Sequence, residues 1–417
     1  MREMKKTTIP FCEYIPDKWQ VLQNRYLFCN HSVKVGENYN EYQLLSLTTS
    51  GVKKKDINAS GGKVPTSYYN YQTVSNGDMI FCLFDLDCSA VFSGLSSFEG
   101  MITSAYDVFK PEEKYVDKHY IEYWFQYVFS YRYYKMYSKS IRYTITSDMF
   151  KAITTPVPPI EEQRRIGEYL DSKCTQIDAL ISNAQQQIEK LKAYKQSVIT
   201  ETVTKGLDPD VTMKDSGVEW IGEIPEDWEV TKFGRICKVK SNLVHPENYP
   251  DYIQIAPDNI EKGSGKLLPC QTVKESGVIS DNHLFYKGQI IYSKIRPILN
   301  KVTIAPFDGL CSADMYPIET TQNYRYVLYY MLSNLFLIQV KMVTENRVKM
   351  PKINQEEISQ IMTVFPSVEG QNEIVTFLDK KCTQIDSLIA IKQQKIEKLQ
   401  KYKKSLIYEY VTGKKEV

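Results

Sequence analysis

The chain has 417 residues, with 52 Lys and Arg against 50 Asp and Glu, a net charge of +2, and 42% apolar residues. This length predicts two or three domains, and the composition excludes a disordered or fibrous protein. A near-zero net charge does not exclude nucleic-acid binding, which depends on how the charge is distributed. The N-terminus lacks an apolar signal region, the longest apolar run (326–340) is too short to span a bilayer, and the nine cysteines stand singly. We therefore expect a cytoplasmic protein without a disulfide framework or a metal site.

The first 158 residues are predicted to form a globular domain of mixed helix and strand. Residues 77–82 read as a turn followed by a strand, and residues 120–131 as an apolar-aromatic helix. Asp85 and Asp87 would share one face of a strand. They could be a metal pair, but without a further acidic partner near by a solvated face is favoured.

Two groups of basic residues stand out in this domain. Lys53, Lys54 and Lys55 form a run on a predicted loop. The segment Tyr131–Tyr143, YRYYKMYSKSIRY, contains cations among tyrosines and no acid. Its candidate DNA-binding residues are Arg132, Tyr133, Tyr134, Lys135, Lys139 and Arg142. Cations bind phosphates and tyrosines can stack or donate hydrogen bonds, but a helix end with core tyrosines and exposed cations fits the composition equally well.

Residues 159–206 are predicted to form one long helix. Apolar residues from Ile177 to Val198 follow a 4-3-4-3 spacing, with Lys195 interrupting the seam. Pro158 and Pro159 precede acidic residues, which is typical of a helix start. Residues 207–223, rich in Gly, Pro and Asp, are predicted to be a connecting segment.

Residues 224–366 are predicted to form a second globular domain, and residues 367–417 a second long helix whose seam is interrupted at Lys403. The second domain repeats the turn-then-strand pattern at 288–293 and the apolar-aromatic helix at 324–340. Its candidate DNA-binding residues are Lys294, Arg296, Lys301, Asn346, Arg347 and Lys349.

An internal repeat relates the two halves of the chain. At a shift of 208 residues, 170–204 and 378–412 are identical at 23 of 35 positions, and at a shift of 209 IPDKWQV (15–21) matches IPEDWEV (224–230). Two matched helices favour an antiparallel intramolecular coiled coil over two separate surface helices. We therefore predict an α+β fold in which two α/β domains, related by a pseudo-two-fold axis, are separated by an antiparallel pair of long coiled-coil helices.

Motifs of the common enzyme classes are missing. The sequence has no GxxxxGK[ST], no HExxH and no GxSxG, and its four histidines are scattered. A nuclease or methyltransferase in its own right would need such a motif. A coiled-coil scaffold or adaptor protein without DNA recognition remains the alternative to a DNA-binding protein.

The sequence resembles the specificity subunits of type I restriction-modification systems, which serve DNA methylation and host defence. The resemblance lies in PVPPIEEQRRIGEYLD (156–171), GLDPDVTMKDSGVEWIGEIPEDWEV (206–230) and GQIIYSKIRP (288–297). It implies two target recognition domains that each read half of a split site in double-stranded DNA, no catalytic centre, and helices that dock two modification (methyltransferase) subunits. S-adenosylmethionine would bind to those subunits, and restriction subunits would join the complex. The second helix entry departs from the pattern, with PSVEGQ in place of PPIEEQ.

Overall fold

The computed structural model describes residues 2–31, 33–56, 67–138, 142–345, 347 and 351–417. It divides into two compact units: unit 1 is Met1–Ala184 with Gln394–Val417, and unit 2 is Gln185–Gln393. Each unit contains a mixed domain and one end of each of two long helices. The domain boundaries predicted from the sequence stay predictions.

The two long helices run over Ile160–Lys205 and Val368–Val411 and are called here the first and the second long helix. Neither contains Pro, and acidic residues occupy both first turns, which favours helix in each case. The other helices are Asn24–Leu27, Lys118–Ser130, Ser147–Ala152, Phe233–Ile236, Val273–Ser276, Tyr324–Leu332, Asn334–Thr344 and Gln355–Ser359. Short 3-10 helices cover Gly36–Glu41, Tyr133–Met136, Pro246–Asn248, Pro257–Asn259 and Pro297–Leu299.

The centre of unit 1 is an antiparallel four-stranded sheet with the order Phe28–Asn30, Asp107–Pro111, Met79–Phe81 and Ser93–Leu95. The predicted turn and strand are confirmed here, because Gly77 has φ +93° and the strand follows at Met79. The remaining strands are Met4–Lys6 with Tyr14–Pro16, Gln20–Gln23 with Thr154–Val157, Leu45–Thr48 with Gly51–Lys54, and Gln72–Val74 with Gly100–Ile102. The helix Lys118–Ser130, called here domain helix 1, packs its buried aromatic side chains against the core.

Unit 2 repeats this sheet with the order Cys237–Val239, Met315–Thr320, Ile290–Ser293 and Val302–Ile304. A second, five-stranded sheet has the order Leu243–Val244, Asn282–Phe285, Gly309–Ser312, Ile253–Ile255 and Gln271–Thr272. The pairs Met213–Asp215 with Glu223–Pro225 and Glu229–Lys232 with Met362–Phe365 complete the unit. The apolar stretch 324–340 forms two helices, because Ser333 is extended (ψ 156°) and caps the second of them. The helix Tyr324–Leu332 is called here domain helix 2.

The two long helices are antiparallel where each unit brings them together. In unit 1 the rings of Tyr169 and Tyr410 lie 4.7 Å apart, and Lys403 Nζ lies 2.6 Å from Asp178 Oδ2. In unit 2 Lys195 Nζ lies 2.8 Å from Asp386 Oδ2. Residue numbers rise along one helix as they fall along the other, as predicted.

Candidate nucleic-acid interface

The tyrosines of the segment 131–143 belong largely to the core of unit 1. The ring of Tyr133 stacks on Phe11 at 4.3 Å between centroids. Tyr134 is only 1% exposed, and its hydroxyl donates to the carbonyl of Leu86 at 3.0 Å. Burial leaves the ring of Tyr134 no free surface on which a base could stack. For these two rings the structure favours packing over DNA contact.

The described cations of the same segment, Arg132, Lys135 and Arg142, lie near carboxylates at the surface, which partly neutralise them. Asp87 accepts a hydrogen bond from Lys135 at 2.8 Å and lies 3.4 Å from Arg132. This hydrogen bond lowers the pKa of Asp87 below its ordinary value. Arg142 is 79% exposed along its side chain, with Asp85 at 3.7 Å. Sequence reasoning missed these partners because Asp85 and Asp87 precede the segment by about fifty residues.

Asp85 and Asp87 do not lie on a strand, which corrects the sequence-based prediction. The strand ends at Phe81, and the chain enters a turn in which Asp85 adopts φ +48°. This turn, 84–87, is called here the unit 1 loop. Its carboxylates bind side-chain cations of the protein, so the metal-pair alternative has no support from their contacts.

Lys53 and Lys54 lie on the second strand of the hairpin Leu45–Thr48/Gly51–Lys54, which corrects the prediction of a loop, and Lys55 follows that strand. All three are exposed. The ammonium of Lys54 lies 5.2 Å from the ring centroid of Phe98. No ion pair is formed by the three lysines within the described residues. They are therefore available to an anionic partner.

In unit 2 the backbone around Lys294 and Arg296 is hydrogen-bonded to residues 351–353. The backbone of Arg296 donates to the carbonyl of Pro351 at 2.8 Å, and Ile353 donates to the carbonyl of Lys294 at 3.0 Å. Residues 294–298, called here the unit 2 loop, thus lie beside the chain that follows Arg347. Lys139, Asn346 and Lys349 lie outside the described residues.

The candidate cations of unit 2 differ in how much they are engaged by the protein. Lys301 is 16% exposed and pairs with Asp258 at 3.1 Å, and Lys294 donates to the carbonyl of Ala313 at 2.6 Å. Arg347 pairs with Glu357 and donates to the carbonyl of Lys352. Arg296 is exposed and forms no ion pair within the described part of the chain. Among the described candidates of unit 2, Arg296 is therefore the one whose charge is most available.

The two loops occupy corresponding places with opposite charge. Asp85 and Arg296 both have positive φ, +48° and +45°, a conformation that is uncommon outside Gly. The same long-range hydrogen bond flanks each loop, from Ile145 to the carbonyl of Leu83 in unit 1 and from Ile353 to that of Lys294 in unit 2. One fold position therefore presents a carboxylate in unit 1 and a guanidinium in unit 2.

Each domain is fixed to the long helices by a matched set of buried and partly buried polar contacts, called here a helix clamp. The clamp of unit 1 consists of Tyr120, Tyr123, Gln163 and Asp171. Gln163 is 0% exposed and accepts from the backbone of Asp117 at 2.8 Å. Its amide donates to the carbonyls of Tyr115 and Pro158 at 2.9 and 2.8 Å. The Tyr123 hydroxyl donates to Asp171 at 2.8 Å, and that of Tyr120 to the carbonyl of Pro156 at 2.9 Å.

The clamp of unit 2 consists of Tyr326, Tyr329, Gln371 and Asp379. Gln371, also 0% exposed, accepts from the backbone of Asn323 at 2.9 Å. Tyr329 donates to Asp379 at 2.6 Å, and Tyr326 to the carbonyl of Val364 at 2.9 Å. The two domains differ in sequence, yet they are held by the same chemistry.

The lysines that interrupt the seam find partners on the other helix. Lys195 reaches both carboxylate oxygens of Asp386 at 2.8 Å, and Lys403 reaches those of Asp178 at 2.8 and 2.6 Å. Because the partner is set by the pairing of the helices, these ion pairs favour one alignment over shifted ones.

We expect the variant Lys403→Glu to lower the free energy of unfolding by about 1 kcal/mol, because it places two carboxylates together where a partly exposed ion pair stood. The double variant Lys403→Glu/Asp178→Lys should recover most of the loss. Urea denaturation checks both. Lys404→Glu is the matched control, since Lys404 is exposed and forms no ion pair in the described chain. An equal loss in the control would contradict a specific pair.

Similarity to known proteins extends over both units. Residues 225–401 match the family model of the type I restriction modification DNA specificity domain. The EcoDI specificity subunit of Escherichia coli is 35% identical over 251 residues, which cover 57% of this chain and 56% of that protein. The chain is therefore similar to type I specificity subunits. The putative MjaX specificity subunit of Methanocaldococcus jannaschii is 26% identical over 320 residues, covering 73% of this chain and 70% of that subunit. The match to the EcoDI subunit spans only about half of that subunit's length.

A solved structure shares the fold of this chain. It comes from work on complex assembly and conformational transition of the type I R-M system, and it superposes with a TM-score of 0.69. The match covers 95% of this chain and 98% of that chain, at 12% identity. The α+β fold with long helices is therefore confirmed.

The departure at the second helix entry, PSVEGQ, keeps the glutamine that contacts the domain in both units. Gln371 ends that motif as Gln163 ends PPIEEQ, and both side chains bind the first turn of a domain helix. Glu162 and Gly370 hold the preceding position. The hydrogen bonds of Gln163 and Gln371 to the domains explain why the motif ends in glutamine in both units.

Among the described residues, no single helix is long and apolar enough to cross a membrane; the bent pair Tyr324–Leu332 and Asn334–Thr344, with 61° between its parts, meets the length and composition criteria only when taken together.

Proposed function

We propose that this chain is the DNA-binding specificity subunit of a cytoplasmic type I restriction-modification complex, in which each unit reads one half of a bipartite site in double-stranded DNA. One observation carries the proposal: two domains are held by the same clamp but present opposite charges at one loop position. A scaffold gains nothing from such divergence, whereas a protein that reads two different half-sites requires it.

The contrast between the loops supports an asymmetric target. A guanidinium such as that of Arg296 can fork onto a guanine edge or bind a phosphate. A carboxylate such as that of Asp85 accepts from the amino group of cytosine and repels phosphate. The two half-sites are therefore expected to differ.

The long helices would set the spacer between the half-sites and dock two modification subunits. A helix of 46 residues is roughly 69 Å long at about 1.5 Å per residue. Large apolar side chains remain exposed along both helices: Leu180, Phe377, Leu388, Ile391 and Tyr402. Such residues on a helix pair whose seam is already filled favour a further protein partner.

In this proposal the chain itself is not catalytic. S-adenosylmethionine would bind to the modification subunits, and restriction subunits would join the complex. The purified chain, incubated with S-adenosylmethionine and DNA, should transfer no methyl groups, and methylation by the chain alone would contradict this part of the proposal.

Exchange of residues 1–155 for the corresponding part of another specificity subunit should change one half of the recognised site and leave the other half and the spacer unchanged. The reason is that unit 1 keeps its clamp residues on the long helix while its reading surface is replaced. Mapping of methylated sites in cells that carry the complex measures the outcome. The matched control exchanges residues 224–364, which should change the other half.

A change in both halves, or in the spacer alone, would contradict this assignment. The scaffold alternative is tested separately by titrating DNA binding with salt, with and without a modification subunit. A DNA-binding subunit should lose affinity linearly on logarithmic axes as phosphate contacts are screened, and a scaffold should show no such slope.

A further inference from the structure

Each helix clamp has a cation beside its carboxylate, and the two cations differ in how they respond to pH. In unit 1, His119 Nδ1 lies 2.8 Å from Asp171 Oδ2, beside the hydrogen bond from Tyr123. In unit 2, the corresponding position holds Arg325, whose guanidinium lies 2.5 Å from Asp379 Oδ1 beside Tyr329. His119 lies one helical turn before Tyr123, and Arg325 lies one helical turn before Tyr329. The carboxylates come from the long helices.

The surroundings of His119 favour its charged form. Its charged neighbours are Asp171 on the first long helix, and Asp117, Lys118 and Glu122 on its own helix. The hydrogen bond to Asp171 is the largest influence and raises the pKa of His119 above its ordinary value, although burial opposes it. Burial alone would raise the pKa of Asp171, but the hydrogen bonds from His119 and Tyr123 lower it.

The helices approach closely at this point. A methyl group added to Gly167 of the first long helix would lie 3.0 Å from the Cβ of His119. The Cβ of His119 therefore packs against the long helix, while its partly exposed imidazole is held there by Asp171. The protonation state of the imidazole thus acts directly on the contact between domain and helix.

We propose that the clamp of unit 1 is a pH-sensitive lock between domain helix 1 and the first long helix, whereas the clamp of unit 2 is permanently closed by arginine. The lock has two states. Protonated His119 forms a charge-assisted hydrogen bond with Asp171, and neutral His119 keeps at most an uncharged one.

The direction of the pH effect follows from the linkage between protonation and folding stability. Because the pKa of His119 is higher in the folded chain than the ordinary value of about 6.5, its contribution is fully present below about pH 6.5 and is lost as pH rises through the raised pKa. Arg325 cannot lose its proton in this range, and its pKa is raised further by the hydrogen bond with Asp379. Alkaline pH therefore weakens the contact of His119 with Asp171 in unit 1 and leaves that of Arg325 with Asp379 in unit 2 unchanged. If the proposed function holds, the half-site read by unit 1 is the one whose recognition weakens.

Titration of the four histidines by NMR with ring-labelled histidine tests the lock without DNA. The signal lost in His119→Arg identifies His119. Its pKa should lie above 6.5 in the wild type and fall toward the ordinary value in Asp171→Asn. Arg325→His should add a signal with a similarly raised pKa. If His119 titrates at the ordinary value, or if Asp171→Asn leaves it unchanged, the lock is overturned.

Hydrogen exchange measures the consequence for the two domain helices in one sample. The exchange of peptides from 118–130, relative to those from 324–332, should increase between pH 6 and pH 8.5 in the wild type and stay constant in His119→Arg. A ratio that rises equally in both proteins would overturn the lock. Because neither measurement uses DNA, absence of salt-dependent DNA binding would remove the proposed function and leave the lock standing.

Discussion

The variant Gln163→Ala should lower the free energy of unfolding by about 2–3 kcal/mol, the largest effect that we expect from a single polar side chain. Gln163 is fully buried and satisfies the Asp117 amide and the carbonyls of Tyr115 and Pro158. Its removal leaves these groups unpaired inside the protein, and each buried unpaired group costs about 1–3 kcal/mol, reduced where the chain relaxes. Urea denaturation measures the loss, and hydrogen exchange of residues 118–130 should show where the chain opens.

The control for this prediction is Gln186→Ala, an exposed glutamine of the same helix, which should change stability by less than about 0.5 kcal/mol. Gln371→Ala should repeat the effect in unit 2, with the opening at 324–332, because Gln371 binds the Asn323 amide. Comparable losses at Gln163 and Gln186 would show that Gln163 does not fix the domain to the helix.

The sequence predicts those parts of the fold that depend on periodicity and repetition. The apolar spacing from Ile177 to Val198 predicts a helix, because a helix places the side chains that follow this spacing on one face. The identities at a shift of 208 indicate that the same helix occurs twice, and antiparallel pairing follows within each unit. Lys195 and Lys403 are visible as interruptions, but their partners are not. Asp178 and Asp386 are near them only through the pairing of the helices.

The contacts that shape the candidate interface could not be predicted, because they join residues far apart in the chain. The basic character of 131–143 is read easily, yet Asp85 and Asp87 reduce its charge from another loop. The sequence of this segment also gives no sign that Tyr134 is buried, because its burial depends on the tertiary packing around it. The ion pair that Arg347 forms with Glu357, ten residues further along the chain, likewise could not be predicted.

The repeat at the shift of 209 begins earlier in the chain than the motif IPEDWEV. The strand Met213–Asp215 of the connecting segment 207–223 and the strand Glu223–Pro225 at its end repeat Met4–Lys6 and Tyr14–Pro16 at this shift. The match that begins at Ile224 and Pro225 thus extends backwards to Met213 and Lys214, which match Met4 and Lys5. Turn-rich composition concealed this repeat, because short strands carry little periodicity.

The variants Arg142→Ala and Arg347→Ala should separate a DNA contact from a structural one. Arg142 is 79% exposed, with one carboxylate at 3.7 Å, so its loss should change stability by less than about 0.5 kcal/mol. If it binds a phosphate, affinity should fall for all sequences and the salt slope should decrease by about one. If it binds a base, the loss should be about 1–3 kcal/mol of binding free energy at one position of the site.

Arg347→Ala should instead lower the stability of the fold, by up to about 1 kcal/mol. Arg347 joins its segment to Glu357 and to the carbonyl of Lys352, and Glu357 also caps the helix Gln355–Ser359. Glu357→Gln breaks the ion pair and keeps the guanidinium. If Arg347 also binds DNA, Arg347→Ala should weaken binding more than Glu357→Gln does, at equal melting temperature.

Measurements of melting temperature and DNA affinity for each variant separate these outcomes, with Arg25→Ala, another exposed arginine of unit 1, as the control for lost charge. Unchanged affinity in a normally folded Arg142→Ala protein would remove Arg142 from the interface. A loss of affinity in Arg25→Ala as large as in Arg142→Ala would mean that net charge, rather than the segment 131–143, governs binding in unit 1.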